Sequence, residues 1–320
     1  MDKKSRTKKQ HFIPRFYLEH FADGNGKLWT HDPVHDNLLY STPENTGFET
    51  NIYTPESEDG TRIDLVEETL SKVESSAAQL LPDLLAFKKL GDSDKAEFAM
   101  FLSTMFARSP AQLRQFAAHQ GKVAHWLGRV ELEHELRRKE ELGTLSKDDE
   151  QTRLLLTQKD IYEMDVDRRV GLASFQQCEV LANLMKKMTW TFEVSENQEL
   201  LTSDNSVFWV NGGGPLPVNG PYGFGLGHPQ AVIPFPLNPG IILRLDWQPG
   251  LGWTKHRLFK NRAKLSNQYQ AKHKNRFLYF RTRDEGFRKL GMKYAEPVQQ
   301  LDSGLDGPDI NVVRTLKENS

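Results

Sequence analysis

The sequence predicts an α+β fold, with a helix-rich N-terminal half packed with a smaller, mainly antiparallel sheet formed by the C-terminal half. Between Thr61 and Met188 apolar residues recur at three- and four-residue steps, the period of helices with one buried face. From Thr189 the pattern becomes alternation in a β-forming string, Thr189-Trp190-Thr191-Phe192-Glu193-Val194, the period of a strand with one face in the core. No internal repeat and no clean linker interrupts the chain. The expected organisation is therefore one α+β domain over residues 11–296, a basic arm at 1–10 and a polar tail at 297–320.

The arm carries Lys3, Lys4, Arg6, Lys8 and Lys9, and reads either as a solvated extension or as a phosphate-binding one. Asp23-Gly24 and Asn25-Gly26 are turn signals, and Lys27 to Thr30 after them reads as a short strand. Pro33, Pro43 and Pro55 exclude a long helix in this region. Ile63, Val66, Leu70, Val73, Ala77, Leu80 and Leu84 line one helix face, started by a capping box at Thr61 and Asp64. Pro82 is expected to kink or interrupt that helix. Ser93 is expected to cap a second helix bearing Phe98, Phe101, Leu102, Met105 and Phe106. Ser109-Pro110 starts a third, long helix towards Leu136, whose charged end from Glu131 to Glu141 faces solvent. A further helix is expected over Ile161–Met188, with Cys178 in its middle in a core role. Strands follow at Thr189–Val194, Ser206–Val210, Ala231–Phe235, Ile241–Leu245 and Arg276–Phe280, with a helix at Leu258–Lys272. The glycine-rich string between Asn211 and Gly227 lacks both the following helix of a dinucleotide fingerprint and the lysine of a phosphate-binding loop, so it reads as a loop able to cover a site.

Composition narrows the function classes. Lys plus Arg number 42 and Asp plus Glu 43, a net charge of −1, which excludes a global nucleic-acid-binding charge but not a local patch. The single cysteine excludes an intrachain disulfide and a cysteine-based zinc site. The polar start lacks a signal-peptide core, and no window approaches the roughly 20 apolar residues that span a bilayer. The expectation is a cytoplasmic protein with no membrane association.

The most distinctive string is Gln10-His11-Phe12-Ile13-Pro14-Arg15-Phe16-Tyr17-Leu18, continuing to Phe21-Ala22. Later come Ala107-Arg108-Ser109-Pro110, Thr202-Ser203-Asp204-Asn205-Ser206-Val207, Phe235-Pro236-Leu237-Asn238-Pro239 and Asn267 to Phe277. In this order, over nearly the whole chain, the strings resemble the uncharacterised bacterial family called domain of unknown function 4238. That family usually has proline where this chain has Ser206, and its absence is expected to loosen the turn. The resemblance implies no activity, since none is established for the family.

The residues themselves suggest chemistry. His11 can shuttle a proton near neutral pH, and Arg15 four residues on can clamp a carboxylate or phosphate. Asp204, at a turn before another apolar run, can serve as a base or admit a divalent metal. The candidate catalytic set is His11, Arg15 and Asp204, with Asn205, Arg108 and Tyr17 as candidate binding residues. Against this, the apolar neighbours of His11 can simply anchor the N-terminus, and aspartate and asparagine at turns commonly bond their own backbone. His31 and His35 have the spacing of helical metal ligands, but Pro33 between them makes them loop histidines. The leading expectation is a hydrolase-like enzyme acting on a phosphate-containing substrate. His11-Phe-Ile-Pro14 is similar to the opening of His-Asn-His nucleases, whose remaining residues are missing. The alternatives are a non-catalytic binding or sensing protein for an anionic ligand or nucleic acid, and a structural interaction module.

Overall fold

The alternation that begins at Thr189 becomes the central strand pair of the larger sheet. The computed structural model describes residues 9–50, 65–156, 174–212, 225–250 and 252–295. The N-terminal region gives β1 (Lys9–His11), α1 (Arg15–Glu19), β2 (Leu28–Asp32), β3 (Asn37–Ser41) and β4 (Phe48–Thr50). The helices α2 (Leu65–Leu85), α3 (Asp92–Ala107), α4 (Pro110–Glu141), α5 (Lys147–Leu156) and α6 (Cys178–Lys187) follow. Then come β5 (Thr189–Ser195), β6 (Thr202–Ser203), β7 (Val210–Asn211), β8 (Ala231–Asn238), β9 (Ile241–Asp246), β10 (Lys255–Leu258), α7 (Lys260–His273), β11 (Leu278–Phe280) and α8 (Glu285–Lys293). The fold is α+β, as the change of period predicts. Among the described residues no helix is long and apolar enough to cross a membrane.

The chain forms two compact units. One holds the described residues up to Leu113 and those from Ser174 onward; the other holds most of α4 together with α5. In the second, Lys139 on α4 pairs with Asp149 at 2.8 Å and Arg153 on α5 with Glu140 at 2.7 Å.

In the first unit, β10-β5-β9-β8-β7 form a five-stranded sheet, antiparallel except for the β10–β5 pair. Trp190 pairs with Leu245 and Phe192 with Leu243, so the apolar residues of both strands share one face. That face is buried under α2, α3 and α6 in the main core, with Phe98 edge-on to Trp190 at 6.1 Å. A four-stranded antiparallel sheet, β3-β2-β11-β6, joins the N-terminal hairpin to the C-terminal region. One face carries Phe280 under Phe287 of α8, and Tyr279 on the other reaches the main core. A Cβ on Gly291 of α8 would collide with the His31 ring, so glycine is what lets this helix lie close on β2.

The apolar string after His11 docks on this unit. Phe12, Ile13, Tyr17, Leu18 and Phe21 are all buried, and each such side chain contributes about 1.5–3 kcal/mol. Gly47, at φ +69°, hands its carbonyl to the amide of Phe12 at 2.9 Å, and a side chain there would strike Ile13.

Several elements depart from expectation for local reasons. Pro82 lies inside α2 near its C-terminal end, and the helix runs on past it to Leu85, so it does not interrupt the helix although it removes the N–H that would bond the Ala78 carbonyl. The cap of α3 is Gly91, with Asp92 and Asp94 in the first turn facing the positive end of the helix dipole, and not Ser93. Ser109 does cap α4, accepting from the Gln112 amide at 3.3 Å. Residues 206–209 are not a strand, because only Val210–Asn211 finds a ladder partner. Cys178 is the first residue of α6, buried against the Ser103 carbonyl, and not mid-helix. Strand β3 and helix α8 were invisible to the periodicity; α8 is started by Asp284, whose Oδ1 accepts from Gly286 and Phe287. The capping box at Thr61, the helix start at Ile161 and the basic arm through Lys8 lie outside the described residues.

Candidate functional site

The site starts from a buried carboxylate. Asp204 follows the two-residue strand β6 and is 2% exposed. Its Oδ1 accepts from the Asn275 amide at 2.8 Å, and its Oδ2 from the amides of Arg276 and Phe277 at 2.7 and 2.9 Å. Burial pushes its pKa up to about 6, and these N–H groups oppose the shift. The segment around it has almost no ladder, so α7 supplies the missing partners. Asn267 takes the Leu201 amide and donates to the Glu199 carbonyl, and Gln270 bonds Ser203 Oγ and the Ser206 carbonyl. Asn205 Nδ2 donates to the His273 carbonyl at 2.8 Å.

By gripping the backbone of residues 275–277, Asp204 fixes where the Arg276 side chain starts. That guanidinium forms a two-point pair with Asp32 at the end of β2, Nε to Oδ1 at 3.0 Å and Nη2 to Oδ2 at 2.6 Å. Asp32 also receives the Val34 amide at 3.2 Å and His35 Nδ1 at 2.8 Å. Burial pushes the Asp32 carboxyl up, but Arg276 and His35 outweigh it and hold the pKa at about 2. His35 lies in the hairpin turn with its side chain 66% exposed, while that of Asp32 is 9% exposed. Arg276 Nη2 also comes within 3.0 Å of His35 Nδ1, because both nitrogens converge on Asp32 Oδ2. The result is an exposed imidazole oriented by a shielded, ionised carboxylate, with an arginine alongside.

Of the residues singled out in the sequence, the fold brings Tyr17 to the segment that bears Asp204 and Asn205. Tyr17 Oη donates to the Pro236 carbonyl at 2.7 Å and shares a 2.8 Å hydrogen bond with Thr202 Oγ1. Burial pushes its phenol well above the usual range, so it stays a neutral donor. Tyr17→Phe should cost about 1–3 kcal/mol, read by urea denaturation, because the buried Pro236 carbonyl loses its donor. A loss under half a kilocalorie would show that the bond contributes little.

His11 and Arg15 take other partners. His11 Nε2 meets the Glu44 carbonyl at 3.2 Å and its ring stands edge-on to Phe48, while Arg15 pairs with Glu19 at 3.0 Å. Arg108 is 1% exposed and joins α3 to α2 through Glu74 at 2.5 Å. A divalent metal at Asp204 does not suit the donor set, since its oxygens face N–H hydrogens. Among the described residues no group of three or more His, Cys, Asp or Glu could hold a metal ion. His31 is not a loop histidine: it lies on β2, fully buried, 3.4 Å from Asp36, and burial lowers its pKa.

Asp32 and Arg276 are not singled out by the sequence, and His35 reads there only as a loop histidine. The one available signal was Asp32-Pro33-Val34-His35, an aspartate three residues before a histidine across a proline turn, a spacing that lets the carboxylate bond both the turn amide and the ring.

Comparison with curated proteins and with solved structures yields no match. The family model described as "Protein of unknown function (DUF4238)" matches residues 9–284, which contain the opening motif, Asp204 and the Asp32–His35–Arg276 cluster, and the chain belongs to that family.

Proposed function

We propose that the protein is a hydrolase-like enzyme acting on a phosphate-containing substrate, with His35 as the proton-transfer group. The observation that carries the reading is the 2.8 Å contact of His35 Nδ1 with Asp32 at an exposed hairpin, with Arg276 on the same carboxylate. With its Nδ1 proton donated to Asp32, the ring keeps a lone pair on Nε2. In the proposed reaction Nε2 takes a proton from a water that attacks phosphorus. The ester P–O bond breaks, and the same proton passes to the leaving oxygen. Arg276, 39% exposed, leaves its Nη1 donors, unengaged among the described residues, for a phosphate oxygen. Asp204 would act as a positioning residue through the backbone of 275–277.

The test is turnover of bis-p-nitrophenyl phosphate and of a labelled single-stranded oligonucleotide by the full chain. His35→Gln should lower turnover by about 10²–10⁴-fold with little change in melting temperature. Unchanged turnover in that variant, or none by the parent protein on either substrate, would overturn the proposal. A purely structural His35 would instead lower the melting temperature and leave turnover alone.

A second observation favours the binding alternative. A cleft of about 570 Å³ is lined by Arg281, Thr282, Arg283 and Trp29, with the Arg283 guanidinium 5.4 Å from the Trp29 ring. If the protein only binds an anionic ligand there, oligonucleotide affinity should fall with Arg283→Ala and not with His35→Gln.

A further inference from the structure

The alternation of β5 that packs Trp190 and Phe192 into the core places Thr189, Thr191 and Glu193 on the opposite face. Arg244 and Asp246 of β9 stand across from Thr191 and Thr189, and His256 of β10 beside Glu193. The start of α7 walls this face, leaving a cleft of about 470 Å³. That lies within the roughly 300–1,000 Å³ of small-molecule sites. It shares no lining residue with the Asp32–His35–Arg276 cluster.

We infer that this cleft binds a neutral, polyhydroxylated ligand of the sugar type, held by Glu193, Arg244, Asp246 and His256 against the ring of Phe259.

Charge balance argues for a neutral ligand. Arg244 Nε pairs with Asp246 at 2.8 Å, and Glu193 Oε1 faces Arg244 at 3.7 Å and Arg262 at 3.4 Å. Arg257, also on the lining, pairs with Glu196 at 3.0 Å. Each arginine of the lining has a carboxylate partner among the described residues, so an anion gains little net attraction.

Hydrogen-bonding capacity is left over nonetheless. Among the described residues Glu193 Oε2 accepts no hydrogen bond, and His256 uses only Nε2, towards Thr254 at 2.8 Å. Asp246 spends one lone pair on each oxygen, on Arg244 and on the Gln248 amide. A hydroxyl donates and accepts at once, so it matches a floor where fixed donors and acceptors alternate. The ion pairs also pre-orient these groups, which lowers the entropy lost on binding. The side chains of Glu193, Asp246 and Arg244 are only 13%, 11% and 20% exposed, so ligand contacts would form in partly water-excluded ground. Phe259 is the complementary part. The residue is 60% exposed on the rim, with the Arg257 guanidinium 5.7 Å from its ring centre, and an exposed aromatic ring is a platform of the kind that packs on the C–H face of a pyranose.

The experiment titrates the full chain with maltose, cellobiose and N,N′-diacetylchitobiose, followed by amide chemical shifts and calorimetry, with inorganic phosphate as the charged comparison. At least one disaccharide should bind at millimolar concentration or below, perturbing amides of β5, β9 and β10, with affinity little changed by a tenfold rise in salt. Glu193→Gln should weaken binding, and Phe259→Ala, an exposed substitution that leaves the core intact, should weaken it about tenfold. Absence of binding by all three sugars would overturn the inference. So would tighter, salt-sensitive binding of phosphate in this cleft, or parental affinity in Phe259→Ala.

Discussion

Asp204→Ala is expected to destabilise the protein by about 4 kcal/mol or more, the largest single-residue effect in the candidate site. The amides of Asn275, Arg276 and Phe277 all end on this carboxylate, which is 2% exposed. Each buried donor left without an acceptor costs roughly 1–3 kcal/mol, and the three add incompletely because they lie on one short segment. Against a typical net stability of about 5–15 kcal/mol this is a large share. The melting temperature should fall by about 10 °C, or the variant should fail to accumulate in folded form. Asp204→Asn keeps one carbonyl acceptor but turns an N–H₂ towards the remaining amides, so it should lose about half as much. The two variants, compared by calorimetry, separate support of the backbone from a role confined to chemistry. If Asp204→Ala melts within about 2 °C of the parent protein, the carboxylate does not hold this segment.

What the sequence made legible was what depends on period. The α2 and α3 faces and the alternation of Thr189 to Val194 each report a burial pattern that repeats along the chain, and each became the expected element. The burial of Phe12, Ile13, Tyr17, Leu18 and Phe21 was legible for the same reason: a string this apolar has to leave water. The pairing of β2 with β11 was not legible. It joins His31 to Leu278 across the length of the chain, and short strands carry too few residues to show a period. Asp204 was noticed as a carboxylate at a turn, but its partners are backbone amides of residues 275–277, which no side-chain spacing announces. Asp32 and Arg276 did not stand out, and His35 read only as a loop histidine, because the arginine that completes the cluster lies far away in sequence. The partners of His11 and Arg15, Glu44 and Glu19, are equally a matter of tertiary placement and helical geometry.

The pH profile offers a test in which two buried groups oppose each other. His273 stacks on Phe208 at 4.3 Å, and burial, helped by Lys272, lowers its pKa from the ordinary 6.5 to about 4. Between those values the unfolded chain takes up a proton that the folded chain refuses, so acidification favours unfolding. Asp204 works in the other sense. Its folded pKa of about 6 lies above the ordinary 3.8, so between those values the folded chain takes the proton first and acidification favours folding. Each displacement from the ordinary value is worth on the order of 3 kcal/mol, and the two windows overlap almost fully. The parent protein should therefore show a nearly flat contribution from this pair between about pH 6.5 and 4. Below pH 4 stability should fall, as Asp32, held at about 2 by Arg276 and His35, is protonated and its pairing is lost. Asp204→Asn removes one side of the balance. Its melting temperature, compared with its own value at pH 7, should drop steadily as pH falls from 6.5 to 4. His273→Phe, which keeps a ring against Phe208, should do the reverse and gain stability as pH falls from 6 to 4. Melting curves across this range decide the matter: profiles for both variants parallel to that of the parent protein would mean that neither group titrates where its burial places it.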